Sequence, residues 1–148
     1  MAPLPGPGDP RAAGIREQSV LRLARACGVD EPHARTTGRL ALQLFDSARE
    51  IGLHDLGREE RELLGYSAML HDAGKFISFP DHHEHSSYII RNADLPGFDD
   101  NQLDAMAGVA RLHRKKMTGR GGEKTGRGPD GLDRKSRETI RVPGMFLR

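Results

Sequence analysis

The spacing of apolar residues along the chain predicts a series of amphipathic helices. From residue 14 onward, apolar side chains recur at intervals of three and four between polar ones, which is the period of a helix with one buried face. No run of β-branched residues alternates with polar residues, so no strand is predicted. We therefore expect an all-α bundle of about six helices.

Glycine and short polar residues place the expected helix ends. A first helix should stop near Gly28, and Asp30 is a suitable N-cap for a second helix that runs to about Glu50. Gly74 lies just beyond the expected end of the third helix, where it would let the chain turn. The later helices are expected at residues 58–71, 82–93 and 99–114, with a last helix from about Leu132.

The second helix also carries a prediction about burial. Two adjacent lines of residues follow it at helical spacing: His33, Thr37, Leu40 and Leu44, then Ala41, Phe45 and Ala48. Because His33 shares its line with two leucines, we expect its side chain to face the core at the N-terminal end of the helix.

Composition limits the class of protein. The chain has 148 residues, of which 36% are hydrophobic and 30% charged, as expected for one soluble globular domain. A single cysteine, Cys27, excludes an internal disulfide and is typical of a reducing cytosol. The proline- and glycine-rich residues 1–13 are not a secretory signal, so we expect a disordered arm followed by a helical domain over residues 14–148. No apolar stretch is long enough to cross a bilayer, so we expect a cytoplasmic protein with no membrane partner.

Positive charge is concentrated late in the chain. The formal net charge is only +2, but residues 111–127 contain seven basic side chains and one acidic one. This segment could hold a polyanion such as polyphosphate, a nucleotide or nucleic acid, or it could be a solvated loop, flexible over residues 116–131. It contains no aromatic side chains for base stacking, which argues against single-stranded nucleic acid, and we expect no sequence-specific nucleic-acid partner.

The stretch from Ala68 to Phe98 holds the groups best suited to chemistry. An adjacent His71-Asp72 pair ends the predicted third helix, and Lys75 follows within one turn. Together with His33, this pair could supply imidazole and carboxylate ligands to one divalent ion, either Mn, Fe, Ni, Co, Zn or Mg. Such an ion would neutralise phosphate oxygens and lower the pKa of a bound water. Lys75 and His85 could then hold a phosphate or move a proton.

Each of these histidines also has a simpler interpretation. A single buried histidine is usually a hydrogen-bonded core residue, and the same dipeptide recurs as His54-Asp55 in a loop where we expect no partner. The glycine, the lysine and the histidine cluster that follow favour His71-Asp72 as the functional pair. Within that cluster, His85 is expected on the inner side of its helix and is interpreted as functional, whereas His82 is interpreted as a solvated helix start.

These motifs resemble a known family. LHDAGK, preceded by a helix bearing His33, resembles the HD superfamily of metal-dependent phosphohydrolase domains. GKFISFPDHHEHSSYIIRNADLPGF, followed by VARLHRKKM, is similar to the C-terminal helical domain of the exopolyphosphatase/guanosine-pentaphosphate phosphohydrolase family. SVLRLARACGVDEPHARTTGRLALQLFD resembles the start of that domain, so the resemblance runs from about Arg16 to the end of the chain. It implies an HD-domain-like helical bundle, truncated at its C-terminus.

The resemblance also implies roles for individual residues. The metal ligands would be His33, His71 and Asp72. Asp72 and Lys75 would be catalytic, as Lys75 follows the His-Asp pair in many active members, and the residue pattern adds His85 as a third catalytic side chain. The substrate-binding side chains would be Lys75, His113, Arg114 and Lys115.

Two departures from the family pattern bear on activity. In the family the phosphoanhydride is cut in an N-terminal actin-like domain, whereas only the short arm precedes the helices here. The last metal-binding aspartate of the superfamily lies on a helix near the domain's end, a place that Asp94, Asp130 and Asp133 do not occupy.

The sequence therefore predicts a metal-dependent phosphohydrolase-like domain. It would hydrolyse or bind a phosphoanhydride or phosphoester such as polyphosphate or a guanosine polyphosphate. The alternatives are a non-catalytic module that binds polyphosphate or a nucleotide and forms a homodimer, or a degenerate fragment of a larger protein.

Overall fold

A computed structural model describes residues 10–112 of the chain, with side chains from residue 14 onward. Its helices are α1 (Pro10–Ala26), α2 (Glu31–Glu50), α3 (Arg58–Leu70), α4 (His82–Asn92) and α5 (Asp100–Leu112), and a 3-10 helix (Ala73–Phe76) joins α3 to α4. No strand occurs within this range, which confirms the all-α prediction. Among these helices, none has both the length and the apolar character needed to span a membrane. The predicted basic loop, the last helix and the side chains of His113, Arg114, Lys115, Asp130 and Asp133 lie outside the described residues.

The helix boundaries follow the local signals closely. Asp30 caps α2 by accepting a hydrogen bond from the backbone N–H of His33 at 3.1 Å, as its sequence position predicted. Gly28 has a φ of +67°, the left-handed conformation that commonly ends a helix. The start of α1 differs from the prediction, because residues 10–13, expected in the disordered arm, are helical.

The core is organised around α3, which packs against α1, α2 and α5, while α4 packs against α5. The buried apolar residues form two clusters. One contains Leu63, Leu70, Ile90 and Met106, and the other contains Phe45 and Leu64. Burying each such large side chain contributes about 1.5–3 kcal/mol, so these contacts hold the end of α3 firmly in place.

α2 buries only one of its two predicted lines of residues, the line of Ala41, Phe45 and Ala48. Its buried residues are Ala34, Gly38, Ala41, Phe45 and Ala48. Leu40 and Leu44 are 51% and 52% exposed, and the side chain of His33 is 60% exposed. The prediction that His33 faces the core was therefore wrong. The small residues face α3 because the two helices approach closely: a Cβ atom on Gly38 would lie 3.5 Å from the Cβ of Ala68.

Gly74 has a different role from the turn that was predicted. It lies inside the 3-10 helix and does not have a positive φ. A Cβ atom at this position would overlap the carbonyl oxygen of His82 and the backbone nitrogen of Ser86. The Gly74 N–H donates to Ser86 Oγ at 2.8 Å, and Ser86 Oγ donates to the His71 carbonyl at 2.7 Å. The glycine thus lets the 3-10 helix rest directly on α4, which brings Asp72 next to His82.

Candidate metal centre

The last turn of α3 fixes the orientation of the His71 ring. The side chain of His71 is only 6% exposed, and its Nδ1 lies 2.6 Å from the carbonyl oxygen of Ala68. Because a carbonyl can only accept a hydrogen bond, Nδ1 must carry the proton. Nε2 then presents its lone pair toward Asp72 Oδ2, which is 3.4 Å away. A backbone carbonyl that orients an imidazole in this way is the usual support of a metal-ligating histidine.

His33 reaches the same carboxylate oxygen from the first turn of α2. Its Nε2 lies 3.8 Å from Asp72 Oδ2, and one ligand atom from each of His33, His71 and Asp72 lies within 4.8 Å of the others. Ligands of a tetrahedral ion with bonds of about 2.1 Å lie about 3.4 Å apart. His71 and Asp72 already have that separation, and His33 Nε2 is 3.8 Å from the same carboxylate oxygen. The donor set therefore fits a transition-metal ion.

A pocket of about 290 Å³ adjoins these three side chains. Lys75 also lines it, with its Nζ 3.2 Å from Asp72 Oδ2. Cys27 lines it as well, and burial raises the pKa of the Cys27 thiol. The pocket thus contains the three candidate metal ligands and the ammonium group of Lys75, which could bind a phosphate oxygen.

The charges at this site favour the forms that bind metal. Burial lowers the pKa of His71, and the neighbouring Asp72 charge only partly offsets this, so the imidazole stays neutral at pH 7. Burial acts to raise the pKa of Asp72, but His71 and Lys75 together outweigh it and hold that pKa below its usual value. A neutral imidazole and an ionised carboxylate are the two species that a divalent ion requires.

His82 is the residue that the sequence interpretation missed. Its side chain is 4% exposed, contrary to the expectation of a solvated helix start, and its Nε2 lies 3.1 Å from Asp72 Oδ1. The Nδ1 of His82 lies 3.0 Å from the carbonyl oxygen of Phe79. His82 lies against Oδ1, whereas Oδ2 faces His33 and His71. A signal was present, because His82, Ser86 and Ile90 form the buried line of α4 at spacings of four residues.

The sequence also assigned settings to two other histidines. His85 is half-buried on α4, and its ring is not among the groups gathered at Asp72 within the described residues. His54 was expected to have no partner, and that was wrong. Its Nε2 bonds the carbonyl oxygen of Phe45 at 2.9 Å, and its Nδ1 accepts from the backbone N–H of Leu56 at 3.1 Å. His54 therefore holds the loop between α2 and α3 in place.

Two of the three histidines of α4, His82 and His85, can be compared directly by substitution. We expect His82→Ala to weaken divalent-metal binding by about 10- to 100-fold, because an unsupported Asp72 carboxylate loses its fixed orientation. His85→Ala is the matched control and should leave the affinity within about twofold, measured by isothermal titration with Mn²⁺. Equal losses in the two variants would show that His82 has no special role at Asp72.

The lowered pKa of His71 predicts a pH dependence of stability in the metal-free protein. The unfolded chain binds the His71 proton more readily than the folded chain, so the free energy of unfolding should fall as the pH drops below about 6.5. Urea unfolding in the presence of a chelator measures this. In His71→Asn, which keeps an N–H donor near Ala68, the slope between pH 7 and pH 5 should be shallower. An unchanged slope would contradict the assignment.

The sequence of this chain is similar to a known protein family. The family described as "Ppx/GppA phosphatase, domain III" matches residues 15–135 of the chain. That range contains every candidate ligand and the whole of the metal pocket.

Three curated bacterial proteins, each named guanosine-5'-triphosphate,3'-diphosphate pyrophosphatase, are similar to the same region. The protein from Pseudoalteromonas translucida is 29% identical over 107 residues, covering 70% of this chain and 20% of the relative. The Photobacterium profundum protein is 30% identical over 104 residues, with 70% and 20% coverage. The Vibrio vulnificus protein is 29% identical over 108 residues, with 73% and 22% coverage. The chain thus spans about a fifth of the length of these relatives.

Proposed function

The chain belongs to the Ppx/GppA phosphatase domain III family, and from this premise we propose that it is an HD-type metal-dependent phosphohydrolase domain. Its metal ligands are His33, His71 and Asp72. Its substrate is a phosphoanhydride or phosphoester such as polyphosphate or a guanosine polyphosphate. The observation that carries the proposal is the convergence of two imidazole nitrogens on Asp72 Oδ2, at 3.8 Å and 3.4 Å. The relatives' name, a guanosine polyphosphate pyrophosphatase, supports hydrolysis of this bond type.

The side chains around the site have different roles in metal binding, phosphate contact and proton transfer. When bound, a divalent cation supplies charge neutralisation for phosphate oxygens and lowers the pKa of an attacking water. His71 and Asp72 provide the fixed ligand atoms of the site. The contact with the Ala68 carbonyl orients His71, and the contact with His82 orients Asp72. Lys75 is the side chain best placed to contact a phosphate oxygen, since it lines the pocket and is partly exposed. His85 would take part in proton transfer, and His113, Arg114 and Lys115 would add cationic contacts to a long phosphate chain.

A second candidate function is a non-catalytic module that binds polyphosphate or a nucleotide and dimerises. The observation that favours it is the exposure of Leu40 and Leu44 on α2, which leaves apolar surface for association. The metal site would then be a binding site only, and hydrolysis would belong to a separate catalytic chain.

Elemental analysis combined with a hydrolysis assay separates the candidates. The phosphohydrolase proposal expects stoichiometric Mn, Fe, Ni, Co or Zn in the purified protein, release of phosphate from polyphosphate or a guanosine polyphosphate, and loss of both in His71→Ala. Metal-free protein that binds polyphosphate in a salt-sensitive manner would support the module instead. Protein with neither property would overturn both proposals and leave a degenerate fragment.

A further inference from the structure

A second cavity lies between α1, α2 and α3, and the proposed chemistry does not use it. Its volume is about 620 Å³, within the range of about 300–1,000 Å³ that is typical of small-molecule sites. Apolar side chains from all three helices line it: Val20 and Leu21 from α1, Leu42 from α2, Tyr66 and Met69 from α3. A solvent-accessible apolar trough of this size can receive a ligand body.

Arginine side chains surround this trough. Four of them line it: Arg35, Arg49, Arg58 and Arg61. Arg61 is already paired, through two bonds of 2.8 Å and 2.9 Å, with Asp46. Within residues 14–112 the other three form no salt bridge, although the charge of Arg35 acts on Glu31 and that of Arg49 acts on Asp46.

The acidic side chains of the trough are fewer and partly engaged. They are Glu17 and Glu62, and Glu62 lies 3.3 Å from the guanidinium of Arg16. The available charge is therefore positive, and guanidinium groups suit phosphate because they can bond two oxygens at once.

The positive charge lies at the two ends of the trough. Arg35 and Arg49 are fourteen positions apart on α2, which corresponds to about 21 Å along the helix axis. Arg49 lies at the end where α2 finishes and Arg58 begins α3, so these two arginines share one end. Leu42 lies midway between the arginines of α2, and Leu42 Cδ1 lies 3.8 Å from the position of a Cβ on Gly65. The floor at Leu42 and Gly65 is thus apolar, the Arg61–Asp46 ion pair follows it along α2, and the end beyond carries Arg49 and Arg58.

Gly65 is an independent indication that the space is needed. A glycine inside a helix costs about 1 kcal/mol relative to alanine. At Gly74, by contrast, a Cβ would overlap backbone atoms of His82 and Ser86, so packing there requires a glycine. Gly65 has only ordinary contact distances around it, so packing does not demand a glycine there. Because Gly65 has no side chain, space remains beside Leu42 at the floor of the trough.

We propose that this trough binds a small organic phosphate. The phosphate group bonds to Arg49 and Arg58, and the apolar or planar body lies over Leu42 and Gly65. Phosphate alone would leave the apolar floor unused, and an uncharged body would leave the two arginines without an anion. The site is separate from the proposed metal centre, because neither arginine lines the metal pocket.

Isothermal titration of the 148-residue protein tests this with three probes. The probes are guanosine diphosphate, dodecyl phosphate and inorganic pyrophosphate, each added without divalent metal. At least one of the two organic phosphates should bind about tenfold or more tightly than pyrophosphate. The better of the two identifies the source as a nucleotide or a lipid-like phosphate. Pyrophosphate binding as tightly as both, or no binding by either organic phosphate at 1 mM, would overturn the proposal.

Four variants locate the binding, two in the trough and two as controls. Arg49→Ala combined with Arg58→Ala should weaken the better ligand about tenfold or more, and Gly65→Leu should do the same by filling the floor while both arginines remain. Arg91→Ala, which removes an exposed arginine of α4, is the charge-matched control and should bind normally. Asp72→Asn should also bind normally, which separates this site from the metal centre. Circular dichroism establishes that each variant is folded, and undiminished affinity in the folded trough variants would refute the assignment.

Discussion

Asp72→Asn should abolish divalent-metal binding, with a loss of affinity greater than about 100-fold. Asp72 supplies the only carboxylate of the candidate ligand group, and the two imidazoles converge on its Oδ2. The amide is nearly the same shape but carries no charge, and one of its two terminal atoms is a donor that cannot bind a cation. Isothermal titration with Mn²⁺ and elemental analysis of the purified variant would both measure the loss.

The chain contains a natural control for this experiment in its second His-Asp dipeptide. Asp55→Asn changes the same residue type in the same local sequence, but Asp55 is exposed and follows a histidine bound to backbone groups. This variant should bind metal with unchanged affinity. If Asp72→Asn retained stoichiometric metal, or if both variants lost it equally, His71-Asp72 would not be the metal-binding pair.

Gly74→Ala should destabilise the protein by about 3 kcal/mol or more. The added methyl group would overlap backbone atoms of His82 and Ser86, and its Cβ would lie 2.8 Å from the Cβ of His85. Backbone atoms within a helix cannot move aside as the end of a flexible side chain can. α4 must therefore separate from the 3-10 helix, which would also break the hydrogen bond from Gly74 to Ser86. Urea denaturation followed by circular dichroism measures the change.

Gly65→Ala is the control for this second prediction. Both glycines lie within helical segments, but the nearest atom to a Cβ on Gly65 is Leu42 Cδ1 at 3.8 Å. Because alanine is the better helix former, this variant should be neutral or more stable by up to about 1 kcal/mol. Equal stability of the two variants would mean that α4 does not rest on Gly74 as closely as described.

Local signals in the sequence were sufficient to predict the helices, but not which line of residues α2 buries. The cap at Asp30 and the end of α1 at Gly28 depend on a few neighbouring residues, and both were predicted correctly. Which face of α2 is buried depends on how closely α3 approaches it. Close approach selects Gly38 and Ala41 over the larger Leu40 and Leu44, and a periodicity based on hydrophobicity alone does not contain that information.

In the candidate site, the sequence predicted the contacts between residues that are near in sequence but not those that depend on helix packing. His71, Asp72 and Lys75 are near in sequence, so their proximity follows from one helix end and the turn after it. His82 was missed because its contact with Asp72 depends on the close packing of the 3-10 helix on α4. His54 was assigned no partner because its bonds are to backbone atoms, which a residue pattern does not reveal. His33 reaches the site from an exposed position rather than a buried one, since α2 turns its other face to α3.

Anomalous diffraction from crystals soaked in Mn²⁺ shows directly whether His33, His71 and Asp72 bind one ion. We expect one strong anomalous peak about 2.0–2.3 Å from Asp72 Oδ2 and from the Nε2 atoms of His33 and His71, with no such peak in crystals of Asp72→Asn. A peak elsewhere in the protein, or no peak with the His33 ring turned away from Asp72, would contradict it.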